Sequence, residues 1–137
     1  MRYFIDTNIF LLLFNSRDKL DPDISFLLGD FYNEIIISSE SVRELLMLIK
    51  KKKIDSKDMR SFNDVMKVLN ENNIKIHYID EKHLKKLSEL QPAPDHYDPG
   101  DLIIISQAIV ENIQLITTDI QFKFYKKQKL QPILNKS

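Results

Sequence analysis

Arg2-Tyr3-Phe4-Ile5-Asp6-Thr7-Asn8 decides how this chain is read, because an apolar run of strand length stops on a carboxylate and a second apolar run, Ile9 to Phe14, follows almost at once. Arg2 to Ile5 predicts a short strand. Thr7 to Phe14 predicts a helix capped by the Asp6-Thr7-Asn8 cluster, since Asp, Thr and Asn all offer a side-chain oxygen to the free N–H groups of a first turn. Asp6 then stands at the carboxyl end of the first strand, where open α/β sheets keep their ligand crevices.

The same alternation continues. Asp21-Pro22-Asp23 opens a second helix carrying Phe26, Leu27, Leu28 and Phe31. Ile35 to Ser38 predicts a buried strand, and a helix follows from Ser39 or Glu40 to Lys52. Met59, Phe62, Val65, Met66 and Leu69 fall on one helical stripe between a Ser56 cap and an Asn72-Asn73 stop. Ile74 to Ile79 predicts a strand, Asp80 caps a helix bearing Leu84, Leu87 and Leu90, and Gln91 to Tyr97 predicts a loop. Asp98-Pro99 opens a very apolar helix ending near Asn112. Gln114 to Thr117 predicts a strand, Asp119 a short helix, and Pro132 to Leu134 a last strand. Strands alternating with helices predict a parallel, helix-covered sheet with right-handed crossovers.

A chain of 137 residues, 43% hydrophobic and 29% charged, with two Gly, fits one domain spanning 1–137. Without cysteine there is no disulfide framework and no thiolate metal site, so any metal must be held by oxygen or imidazole. The first apolar stretch is too short for a signal-peptide core or a membrane span, and a cytoplasmic protein without membrane attachment is expected. Net charge is zero, which gives no whole-chain field toward a polyanion. Lys50 to Lys53 form a basic run and Lys123, Lys126, Lys127 and Lys129 a second; a solvated helix end explains either one alone.

Four acids occupy comparable places: Asp6, Glu44, Asp101 and Asp119. Asp6 and Asp119 follow strands directly, whereas Glu44 and Asp101 must reach the same edge from the opening turns of helices. Each has a structural alternative. Asp6 and Asp119 are good N-caps, and Asp98 with Asp101 could form a capping box around Pro99. Glu44 falls opposite the arc of Val42, Leu45, Leu46 and Ile49, where a solvated face is the default. A tight carboxylate cluster is costly unless a cation occupies it, and hard oxygen donors select Mg²⁺ or Mn²⁺. Such a cage suits metal-assisted phosphodiester hydrolysis.

These residues resemble a known family. Phe4-Ile5-Asp6-Thr7-Asn8, Glu44 in Ser41-Val42-Arg43-Glu44-Leu45, Asp98-Pro99-Gly100-Asp101 followed by Leu102 to Ala108, and Leu115-Ile116-Thr117-Thr118-Asp119 are similar, in order and spacing, to the four motifs of PIN-domain ribonucleases. Size and the early first motif are most similar to VapC-type toxins of toxin-antitoxin pairs. The resemblance implies a three-layer α/β/α sandwich with a central mainly parallel sheet, Mg²⁺- or Mn²⁺-dependent endoribonuclease activity, a homodimer and an antitoxin partner. It makes Asp6, Glu44, Asp101 and Asp119 the catalytic acids and metal ligands, the first three as the core acids and Asp119 as the more variable fourth, with Asn8 and Thr117 as supporting polar residues. Leu102 stands where the family often has Arg. His96 precedes Asp-Pro as in many relatives and is at most a supporting donor.

His77 and His83 have no other ligand type near them at metal-site spacing and are expected at the surface or the core edge. Only Gly29 and Gly100 are glycine, which excludes a Gly-rich phosphate loop. Two rivals remain at this point: another phosphate-handling α/β hydrolase with Asp6 as nucleophile, and an inactive scaffold that binds a protein partner.

Overall fold

The structure, a computed structural model, describes residues 1–54 and 56–137. Five strands, β1 (Arg2–Ile5), β2 (Glu34–Ser38), β3 (Ile74–His77), β4 (Gln114–Thr117) and β5 (Pro132–Leu134), form one sheet in the order β3-β2-β1-β4-β5. All four pairings are parallel, and β1 lies at the centre, with Ile5 opposite Ile37 on one side and Ile116 on the other. Among the described residues the six α-helices are α1 (Thr7–Asn15), α2 (Pro22–Gly29), α3 (Ser39–Lys50), α4 (Phe62–Glu71), α5 (Glu81–Glu89) and α6 (Pro99–Glu111). Short 3₁₀ segments occupy Arg17–Lys19 and Ile120–Gln128.

Side chains alternate across a strand, so each strand feeds two cores. Tyr3, Ile5, Ile35, Ile37 and Ile116 pack on one face with Ile9 and Phe10 of α1, Ile24 of α2, Leu45 of α3 and Val65 of α4. Phe4, Ile36 and Leu115 pack on the other with Ile104, Ile105 and Ala108 of α6 and with Phe122 and Tyr125. This is the expected α/β/α sandwich. No helix among the described residues is long and apolar enough to cross a membrane.

Three expectations need correction. The helix read from a Ser56 cap starts later, at Phe62. Ser61 caps it by accepting the Asp64 N–H at 3.2 Å, while the Asp64 carboxylate reaches back to the Arg60 N–H at 2.9 Å. Phe62 is consequently exposed and Met59 is buried from the preceding turn. On α5 the buried side chain near the start is His83, not Leu84, which faces solvent. Finally, α3 ends at Lys50 rather than Lys52: Lys52 takes a left-handed conformation, and Lys50 to Lys53 lie exposed at the helix's negative end.

Because every strand runs the same way, the residues after β1, β2, β3 and β4 share one edge. The first turns of α1, α3 and α6 open onto that edge, and this positions the acids.

Candidate functional site

Asp6 ends β1 and caps α1. Its Oδ1 accepts the Ile9 N–H at 2.8 Å and its Oδ2 accepts the Thr117 hydroxyl at 2.5 Å. Thr117, fully buried at the end of β4, accepts in turn the Asp119 N–H at 3.0 Å. One threonine hydroxyl therefore ties the first acid to the backbone of the fourth. Burial lifts the Asp6 carboxyl from 3.8 to about 6 against both hydrogen bonds, and the charges of Asp101 and Asp119 add to the rise.

Glu44 is half-buried, not solvated. The Thr7 hydroxyl donates to its Oε1 at 3.1 Å, holding the face of α3 that carries it against the start of α1. Burial lifts its pKa from 4.5 to about 7, with repulsion from Asp98, Asp101 and Glu40 opposing the Thr7 hydrogen bond. Asp101, on the first turn of α6, is also raised by burial, helped by the Asp98 and Asp119 charges and opposed by a hydrogen bond from His96. Asp119 caps the 3₁₀ segment through the Gln121 N–H at 2.9 Å. The four acids thus converge on one edge and repel one another there.

Asp98 caps α6 through the Gly100 and Asp101 N–H groups, as expected, but Asp101 does not complete a capping box. Its Oδ2 is 3.0 Å from His96 Nε2, and His96 Nδ1 is 2.8 Å from the Tyr125 hydroxyl, which accepts the Ala93 N–H at 2.9 Å. The Tyr125 phenol is kept above its usual pKa by burial and remains a donor. With that O–H given to Nδ1, Nε2 is the ring nitrogen that bears a proton, and it donates to Asp101. His96, 4% exposed, is thus a buried orienter of Asp101. Its partner Tyr125 lies 29 residues away and carries no sequence signal for the role.

Sequence reading also missed Glu40. It is buried beside Gly100, its carboxylate paired with Arg43 Nε at 2.6 and 3.0 Å. A Cβ on Gly100 would lie 3.2 Å from Glu44 Oε1, 3.3 Å from Asp98 Oδ1 and 3.4 Å from Glu40 Oε1, so the glycine lets three carboxylates approach α6. Asn8 is exposed, and its side chain takes no part in these hydrogen bonds.

The donor set fits a hard divalent cation. Carboxylate oxygens of Asp101 and Asp119 lie within 4.8 Å of each other and of a ring nitrogen of His96, the orienter of Asp101, and Asp6 adjoins them through Thr117. Carboxylates raised by burial and by mutual repulsion are the groups a cation would stabilise as anions.

Residues 3–128 match the family model described as PIN domain. No curated protein sequence matches the chain. Among solved structures, the chain is similar to one in the crystal structure of VapBC2 from Rickettsia felis bound to a DNA fragment from their promoter. The TM-score is 0.68 at 25% identity, over 98% of this chain and 99% of that one. A chain of VapBC-1 from nontypeable Haemophilus influenzae gives a TM-score of 0.70 at 22% identity over 98% of both chains. A chain of VapBC-5 from Mycobacterium tuberculosis, a member of the VapBC family of toxin-antitoxin systems, gives 0.63 at 15% over 97% and 98%. With a family model matched over almost its whole length, and that family's fold, the chain belongs to the PIN domain family.

Proposed function

We propose that this protein is a metal-dependent endoribonuclease, the VapC-type toxin of a toxin-antitoxin pair, with residues 1–137 acting as one domain. The observation that carries the reading is the convergence of Asp6, Glu44, Asp101 and Asp119 from four separate elements, three of them raised in pKa by burial and repulsion. Asp6, Asp101 and Asp119 would hold Mg²⁺ or Mn²⁺. A divalent cation bound there supplies acidification of a water and neutralisation of charge on the scissile phosphate.

The chain's own residues do the rest. Thr117 and the first turn of α1 fix both oxygens of Asp6, and the Tyr125–His96 pair fixes Asp101. Glu44, half-buried and held by the Thr7 hydroxyl, completes the cage or orients the attacking water. Hydrolysis by water leaves a 5′-phosphate.

The VapBC complexes among the similar structures support a protein antitoxin as partner, and the resemblance to VapC-type toxins supports a homodimer. Exposed Phe26, Phe31 and Tyr32 form an apolar patch of the kind that marks protein contacts. The test is cleavage of single-stranded RNA with Mg²⁺ or Mn²⁺ against chelator, by wild type and Asp6→Asn. Metal-dependent cleavage giving 5′-phosphate ends, lost in a folded Asp6→Asn protein, is expected. An unchanged rate in the variant refutes the assignment, and wild type without cleavage or Mn²⁺ affinity favours an inactive scaffold.

A further inference from the structure

Away from the acidic cluster, three chemistry-bearing side chains that looked unrelated in the sequence meet between β3, α5 and α6. His77 is the last residue of β3, His83 lies in the first turn of α5, and Glu111 ends α6. Glu111 lies ten residues after Asp101 on the same helix, about 15 Å along its axis, so this trio is separate from the four acids. Glu111 Oε2 is 2.9 Å from His83 Nε2 and 3.6 Å from His77 Nε2, and each residue has a ligand atom within 4.8 Å of the others'.

We infer that His77, His83 and Glu111 form a second divalent-cation site, of the zinc type. Two imidazoles and one carboxylate are a known zinc donor set, and tetrahedral bonds of about 2.0–2.1 Å place neighbouring donor atoms about 3.3 Å apart. The separations of 2.9 and 3.6 Å straddle that value. His83 is 1% exposed, whereas His77 and Glu111 keep 28% and 22% of their side-chain surface open, so the fourth position faces solvent. Glu111 is an anion at neutral pH, held below the usual glutamate range by its hydrogen bond from His83. Among the described residues its ion-pair partners are these two histidines, and neither Lys nor Arg pairs with it.

An outer partner is also in place. Asp80 Oδ1 is 3.3 Å from His83 Nδ1, close enough to act, once Nδ1 carries a proton, as the carboxylate that orients a metal-binding imidazole. Without a cation, His83 Nδ1 accepts the Asp80 N–H at 3.0 Å and its proton sits on Nε2, pointing at Glu111. Cation binding moves that proton to Nδ1, where the Asp80 carboxylate accepts it, and exchanges one capping hydrogen bond for another. Both tautomers are neutral, so the exchange leaves the ring's charge unchanged. The cation would clamp α5 and α6 to the edge strand, whether or not the protein is a nuclease.

The test uses Co²⁺ as a spectroscopic probe in the Asp101→Asn protein, where the acidic cluster has lost a ligand. Four-coordinate Co²⁺ absorbs visible light far more strongly than six-coordinate Co²⁺. An intense band that saturates at one equivalent and is displaced by Zn²⁺ is expected. Adding His77→Gln should weaken Co²⁺ binding by more than about 100-fold, since outer partners alone are worth 10–100-fold. Glu111→Gln is a second variant at a half-open position, and it decides alone should His77→Gln fail to melt cooperatively. A band absent from the Asp101→Asn protein, or unchanged in the folded ligand variant, overturns the inference.

Discussion

Replacing Asp6 by Asn should stabilise the metal-free protein at alkaline pH while destroying its metal response. The folded-state pKa of Asp6, about 6, lies above its ordinary 3.8, so the folded protein binds the extra proton. Stability from this group is therefore full below pH 3.8, declines as pH rises, and is lost above about 6. At about 1.4 kcal/mol per pH unit, the ionised carboxylate costs the fold about 3 kcal/mol at pH 8. Asn keeps the acceptor for the Ile9 N–H but not for the Thr117 hydroxyl, a loss of about 1 kcal/mol. In chelator at pH 8, Asp6→Asn should then be about 2 kcal/mol more stable than wild type, and the advantage should shrink toward pH 5. Glu44, raised to about 7, extends the wild-type decline upward, with less weight because it is half-exposed. Urea unfolding with chelator at several pH values measures the gap, and repeating it with Mn²⁺ should stabilise wild type alone. A variant less stable than wild type at pH 8, or a gap independent of pH, would refute the claim that Asp6 is held as a costly buried anion.

Gly100→Ala should cost little stability, since alanine favours a helix by up to about 1 kcal/mol, but should weaken Mn²⁺ binding about tenfold by displacing the Glu44 carboxylate; calorimetry measures this, and unaltered affinity would remove Glu44 from the cage. His96→Ala should lower Mn²⁺ affinity by about 10–100-fold through loss of Asp101 orientation, and should cost about 1–3 kcal/mol in chelator because the buried Tyr125 hydroxyl loses its acceptor. Replacing Lys50, Lys51, Lys52 and Lys53 by Ala should weaken RNA binding and reduce its salt slope by about 0.7 for each phosphate no longer neutralised; an unchanged slope discards the run as an RNA-binding element.

The acids differed in how legible they were, for reasons of geometry. Asp6 and Asp119 follow strands, and a parallel sheet sends all strand ends to one edge, so pattern alone placed them. Glu44 was hidden, because a helical wheel knows only the core face of α3, whereas the opposite face meets Thr7 across the crevice. His83 was misread for the same reason. Leucine spacing favoured Leu84, but the Asp80 cap and Glu111 at the far end of α6 draw the imidazole inward. Ser56 and Ser61 are equally good caps by type, and the choice rests on Asp64 reaching back to the Arg60 N–H. Roles that need a distant partner, such as His96 with Tyr125 or Thr117 with Asp6, exist only once the sheet brings the two together. The four motifs, by contrast, were readable as a family pattern because they are local.

The most direct measurement is anomalous diffraction from crystals soaked in Mn²⁺. A peak is expected at the carboxyl edge of the sheet, bonded to oxygens of Asp6, Asp101 and Asp119 and bordered by Glu44. No peak at that edge, with Mn²⁺ found only at exposed carboxylates elsewhere, would contradict a metal-holding carboxylate cage.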